Sequence, residues 1–248
     1  MIWRSHICFN RVPAWLRCAV ALFAVCMLGH AVTVTGKVEL VSSHDPNVRK
    51  HSDFSGVVVW LEPVSGPVAL SAKSRRAEMI QKGKTFLPHV LPVLVGTTVE
   101  FPNNDPIFHN AFSNYNGQIF DIGLYAPGTT RSIAFRREGV VRVFCNIHPT
   151  MSAVIIVLKS PYFAVSTKNG TFQIPGVPPG SYRMQVFHER ATEQTLSALT
   201  RVVEISDEHA LLPSVSVSES GYLLVPHKNK YGKDYPPSAE GGYLGGKP

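Results

Sequence analysis

Four side chains in this sequence have the types and spacing for metal chemistry. Cys145, His148 and Met151 recur at intervals of three in Val141-Arg-Val-Phe-Cys-Asn-Ile-His-Pro-Thr-Met151. A thiolate, an imidazole and a thioether are soft or borderline ligands, the kind copper prefers. Two histidines, one cysteine and a weak axial methionine suit a copper ion that transfers electrons. One loop offers three of these four donors, and His109 in Phe108-His109-Asn110 is the candidate for the fourth. Each residue alone has a plainer role. Cys145 is a small apolar thiol of a core, Met151 a core filler at the start of a strand, and His109 a turn histidine. Their joint occurrence at this spacing selects the metal reading.

The chain must then supply a frame that brings His109 to the loop. Its 248 residues suffice for one large or two modest domains. With 44% hydrophobic and only 17% charged residues it can bury a sizeable core. Val32–Val41, Ser55–Glu62, Val99–Phe101, Thr130–Arg136, Val140–Phe144 and Met151–Leu158 read as strands, separated by Gly, Pro and Asn turns. Phe86–Val95 contains two prolines and reads as an edge or bulged strand. Asn103-Asn-Asp-Pro106 is a dense turn. Ser42–Asp53 reads as a loop, and Thr167–Ile174 as a hairpin turning at Asn169-Gly170. No stretch between Glu78 and Leu158 has convincing helical periodicity. Short strands at regular spacing predict an all-β sandwich or barrel.

The N-terminus reads as a secretory signal over residues 1–31. Arg4, Arg11 and Arg17 precede an apolar run from Cys18 to Leu28, and Gly29-His30-Ala31 offers a cleavage site. The competing readings are an uncleaved anchor, for which the run is short, and a lipoprotein at Cys26, for which Val25 is a poor neighbour. Cleavage would remove three arginines and no acid, taking the formal charge from +7 to +4. That charge is too small and scattered to suggest nucleic acid. Cys8, Cys18 and Cys26 would leave too, so the mature chain keeps Cys145 alone. An exported protein with one cysteine has no internal disulfide, and its thiol is either free or committed to another task. The expected location is periplasmic or extracellular, with no stable membrane insertion after cleavage.

Residues 78–158 resemble a cupredoxin, a small blue-copper domain. Phe101-Pro-Asn-Asn-Asp-Pro-Ile-Phe-His109-Asn110 is similar to the segment bearing that family's first histidine ligand, and Cys145-Asn-Ile-His148-Pro-Thr-Met151 to its ligand loop. The two-residue gaps and Pro149 match the short loop of amicyanin-type members. The proline that precedes the second histidine in that type is replaced by Ile147, which keeps an N–H able to reach the sulfur. The resemblance implies a Greek-key β-sandwich or barrel and one mononuclear type 1 copper. His109, Cys145 and His148 would form a trigonal plane, with Met151 as a weak axial ligand. It also implies an Asn110 N–H on the Cys145 sulfur and a redox protein docking near His148 over an apolar rim of Pro106, Ile107, Phe108 and Pro149.

A second resemblance covers Thr167-Lys-Asn-Gly-Thr-Phe and Gly176-Val-Pro-Pro-Gly180-Ser-Tyr-Arg. These look like a carboxypeptidase regulatory-type, transthyretin-like β-sandwich, whose opening strands are sought at Gly36-Lys-Val and Gly56–Pro63. The expected organisation is a discontinuous sandwich of 32–68 and 162–225 with the cupredoxin unit inserted, then a disordered tail over 226–248.

Three functions fit these residues: an exported single-electron carrier, a copper-holding or copper-sensing module, and a metal-free binding sandwich. The complete ligand set favours the first. No enzyme is expected, because four protein ligands close the site and no His-x-His pair suggests a second copper. His89 reads as an exposed edge residue and His188 as structural; His44, His51, His209 and His227 show no ligand spacing.

Overall fold

The computed structural model describes residues 30–66, 74–114, 117–223 and 225–236. Nearly all of the expected signal segment and the end of the expected tail lie outside these residues. No helix among the described residues is long and apolar enough to cross a membrane.

The described residues are nearly all β, with two short helices of six residues each. Strand β1 (Val32–Val41) is followed by α1 (Pro46–His51) and β2 (Val58–Pro63). Ten strands come next: β3 (Arg76–Glu78), β4 (Ile80–Lys82), β5 (Thr85–Leu87), β6 (Val90–Leu94), β7 (Thr97–Pro102), β8 (His109–Ser113), β9 (Phe120–Tyr125), β10 (Thr130–Phe135), β11 (Gly139–Phe144) and β12 (Ser152–Leu158). The last part holds β13 (Phe163–Val165), β14 (Thr171–Val177), β15 (Gly180–Phe187), α2 (Glu193–Ala198), β16 (Arg201–Ile205) and β17 (Val215–Ser218).

These strands form four main sheets around three cores. The sheets run β14-β1-β17, β13-β2-β15-β16, β6-β12-β11-β8-β9 and β10-β7-β3, beside the β4-β5 pair. The first two sheets enclose Val34, Val38, Leu61, Ile174 and Met184. The last two enclose Met79, Phe86, Phe101, Phe135, Val143 and Ile155. Val58 and Phe187 meet Val154, Ile156 and Leu158 in the third core, which joins the halves. Thus β1 and β2 pair with strands that follow residue 162, and β3–β12 are spelled out between them.

Strand β12 shows why its sequence is an unbroken apolar run. Ala153, Ile155 and Val157 face the core beneath the candidate ligands. Val154, Ile156 and Leu158 face the joint. Successive side chains point to opposite faces, so a strand covered on both sides needs no polar alternation. Ile156 is 2% exposed, and Ile156→Ala should destabilise the fold by about 2–5 kcal/mol. Urea unfolding is the check, and a loss below about 1 kcal/mol would mean that the joint is loosely packed.

Three expectations change here. The loop expected over 42–53 contains α1, capped by Asp45, whose Oδ1 accepts from the Asn47 N–H at 2.7 Å. Six residues are too few for apolar periodicity to show, but Asp45-Pro46 is the N-cap and N1 pattern that marks the helix. The Asn169-Gly170 turn is present but does not close a hairpin. The strands on either side, β13 and β14, join different sheets. Gly170, at φ +82°, accepts the Val38 N–H at 2.8 Å, and an added Cβ would lie 2.0 Å from the Val38 oxygen. The turn is therefore fastened to β1. Third, residues 226–236 of the expected disordered tail pack against the loop that carries Cys145, as described below.

Polar groups also tie the halves together. His89 is exposed on the edge strand side, as expected, but its Nε2 meets the Glu189 carboxylate at 2.9 Å and its Nδ1 lies 3.1 Å from the Ser152 carbonyl. His188 is buried, with Nε2 2.8 Å from Glu219, which also pairs with Arg190 at 3.0 Å. Burial lowers the His188 pKa and outweighs the Glu219 hydrogen bond, which acts upward. The unfolded chain therefore takes up a proton near the ordinary histidine range, about 6.5, while the native chain stays neutral to lower pH. Stability from this group is lost as pH falls below that range. The drop in urea midpoint from about pH 7.5 to about pH 5.5 should be smaller in His188→Asn than in the parent. An equal drop would contradict this assignment.

Candidate metal centre

The ligand loop is a tight connection between β11 and β12. The Cys145 N–H donates to the Met151 carbonyl at 3.1 Å, and the Met151 N–H to the His148 carbonyl at 3.1 Å. This pins both ends of the loop and turns the side chains of Cys145 and His148 to the same place. His109 enters from β8, the neighbour of β11 in the sheet.

The donor atoms of His109, Cys145 and His148 all lie within 4.8 Å of one another. The Cys145 sulfur is 3.9 Å from His109 Nδ1 and 3.5 Å from His148 Nδ1. Cys145, His109 and Met151 are each 0% exposed. His148 is only part-buried. Met151 belongs to the same core as Cys145, and its main chain closes the loop. The fold thus brings His109, Cys145 and His148 together and places Met151 in the core that Cys145 shares.

The hydrogen bonds around these groups fit a metal. The His109 Nε2 lies 2.8 Å from Asp105 Oδ2. A buried carboxylate there takes the Nε2–H and leaves the Nδ1 lone pair turned toward the sulfur. Asp105 is itself held by the N–H groups of Gly83 at 2.6 Å and Lys84 at 2.8 Å. Burial pushes the Asp105 pKa up, but these two N–H bonds and His109 outweigh it, so its pKa is lowered. Asn103 completes the turn: its Oδ1 accepts the Asp105 N–H at 3.1 Å, and its Nδ2 donates to the Ile107 carbonyl at 2.8 Å.

At the sulfur, burial raises the Cys145 pKa, opposed by the backbone N–H groups of Ile147, Asn110 and His148. Those three donors are set to receive a thiolate, which a metal cation would supply by displacing the proton. Asn110 and Ile147 were expected from the sequence, and His148 adds its own N–H. Burial first, and then the electrostatic influence of the nearby His109 ring, lower the His148 pKa to about 4. Its ring is therefore neutral and able to ligate at physiological pH. Soft and borderline donors, a buried thiol and a fixed tautomer together match the requirements of copper.

No family model matches the chain. Among curated proteins it is 37% identical over 60 residues to the methylamine utilization protein MauL of Methylorubrum extorquens, covering 24% of this chain and 53% of that relative. The chain thus spans about half the length of the curated relative it matches. Among solved structures it is similar to a purple cupredoxin from Nitrosopumilus maritimus, at 29% identity, 33% of this chain, 99% of that chain and a TM-score of 0.31. A copper-containing nitrite reductase from Thermus scotoductus matches at 27% identity over 50% of this chain and 28% of that one, with a TM-score of 0.33. A reduced amicyanin variant matches at 18% identity over 40% of this chain and 98% of that one, with a TM-score of 0.32.

Two groups of residues around the site were missed by sequence reasoning. Asp105 was read only as part of a turn, although its i, i+4 spacing to His109 was visible. The second group is Asp121 with the segment 227–235. No sequence signal links that segment to a loop some eighty residues earlier.

Proposed function

We propose that this chain carries single electrons between redox partners outside the cytoplasm, through one mononuclear type 1 copper held by His109, Cys145, His148 and Met151. The observation that carries this reading is the convergence of one donor atom each from His109, Cys145 and His148 within 4.8 Å, with His109 and Cys145 fully buried. Copper bound there supplies a one-electron couple.

The protein's own part is to hold the donors still. Asp105 fixes the His109 ring, the loop hydrogen bonds fix Cys145 and His148, and three N–H groups face the sulfur. Donors that need not move between oxidation states keep reorganisation small. With two imidazoles, a thiolate and a thioether committed, no position is left for a substrate, so the function is transfer and not catalysis. The rim beside His148 is apolar and accessible, with Phe108 and Ile147 each 42% exposed and Pro106 and Pro149 also exposed. A redox partner would dock there over a small, transient interface. The partial match to a methylamine utilization protein makes amine oxidation the first pathway to search for that partner.

Coulometry on the copper-loaded chain tests the reading. One electron per chain should pass reversibly over many cycles with the metal retained. Loss of copper on reduction would contradict electron transfer and point to a copper-holding role.

A further inference from the structure

The segment 225–236 forms a strap with a structure of its own. The Asn229 N–H donates to the Lys233 carbonyl and the Gly232 N–H to the Asn229 carbonyl, both at 2.9 Å. The Asn229 side chain accepts the Tyr231 and Lys233 N–H groups at 2.9 and 3.1 Å. This compact turn lies against the residues that carry Cys145.

Two sets of contacts reach the site. The Tyr235 hydroxyl donates to the Cys145 carbonyl at 2.7 Å. Its proton is committed there, so its oxygen accepts from His227 Nδ1, 3.2 Å away. The His227 ring stacks on Phe144 at 4.2 Å and 25°. The second set runs through Lys230. Its N–H donates to Asn146 Oδ1 at 2.9 Å, and its Nζ pairs with Asp121 at 2.8 Å. Asp121 Oδ1 accepts from Asn110 Nδ2 at 2.7 Å, and the Asn146 N–H approaches Asn110 Oδ1 at 3.3 Å. Asn110 is also one of the residues whose backbone N–H faces the sulfur. Lys230 therefore closes a ring of hydrogen bonds that holds both the residue after Cys145 and the residue that donates to its sulfur.

We propose that Tyr235 and Lys230 are positioning residues of the metal centre: the strap clamps the Cys145–Asn146 peptide and Asn110, and so sets the place of the sulfur. The inference rests on the proposed copper site. Its contacts are to the Cys145 carbonyl, to the adjacent Phe144 and Asn146, and to Asp121, which holds Asn110, so it acts through the surroundings of Cys145 and is not itself a ligand.

The test uses the full chain with Tyr235→Phe, Lys230→Met and both together. Tyr235→Phe keeps the ring packing and removes one hydrogen bond. In the metal-free chain, alkylation of Cys145 by iodoacetamide under native conditions should rise about five-fold for each variant, as expected for one hydrogen bond, and further in the double variant. In the copper-loaded chain each variant should shift the thiolate-to-copper absorption and its hyperfine splitting. Ile156→Val, which weakens the fold away from the strap, is the control and should move neither spectrum. Parent-like alkylation and spectra in the strap variants, or an equal change in Ile156→Val, would overturn the proposal. If the parent shows no thiolate-copper band, the copper reading fails, and the metal-free alkylation rates still decide whether the strap holds Cys145.

Discussion

Replacing Cys145 with serine should abolish the thiolate-to-copper absorption completely and leave the fold standing. The sulfur lies 3.9 and 3.5 Å from two imidazole nitrogens and faces three backbone N–H groups. A serine hydroxyl is slightly smaller, fits the same space and can accept those N–H bonds. It does not ionise in the range in which a metal-bound thiol does, and its hard oxygen makes a weak bond to Cu(I). The far-ultraviolet circular dichroism should therefore match the parent while the visible band disappears. A retained band would mean that copper is held elsewhere.

The second large effect is expected at Asp105. Asp105→Ala removes the acceptor that holds His109 Nε2 and strands the Gly83 and Lys84 N–H groups. The imidazole is then free to rotate and to place its proton on Nδ1, the atom that faces the sulfur. Groups that orient metal-binding histidines typically contribute about 10–100-fold to metal affinity. Competition with a chelator should show a loss of that size in Asp105→Ala and a smaller one in Asp105→Asn, which keeps one oxygen acceptor. Unchanged affinity in Asp105→Ala would show that His109 needs no such partner, or is not a ligand.

The legible part of the site was the part written locally. Cys145, His148 and Met151 share one loop, so their spacing alone carried the signal, and Phe108-His109-Asn110 stood out as the second segment. The all-β character was legible from β-branched runs and Gly, Pro and Asn turns. Long-range polar closure was not legible. Lys230 meets Asp121 across 109 positions, and Tyr235 meets the Cys145 carbonyl across 90. The strap exposes Val225 and Tyr231 and is held by a few polar contacts and the His227–Phe144 stack, so its composition looks like that of a disordered tail. The Asn169-Gly170 turn misled for a related reason. Its residues specify a positive φ, but whether the next strand returns to its predecessor or crosses to β1 depends on packing.

One spectrum tests the central claim most directly. The chain is expressed in full, loaded with Cu(II), and examined by visible absorption and electron spin resonance. The account predicts an intense absorption toward the red and a narrow copper hyperfine splitting, the marks of a Cys145 thiolate bonded to copper between two imidazoles. A pale band with ordinary wide splitting, or no bound copper, would contradict it.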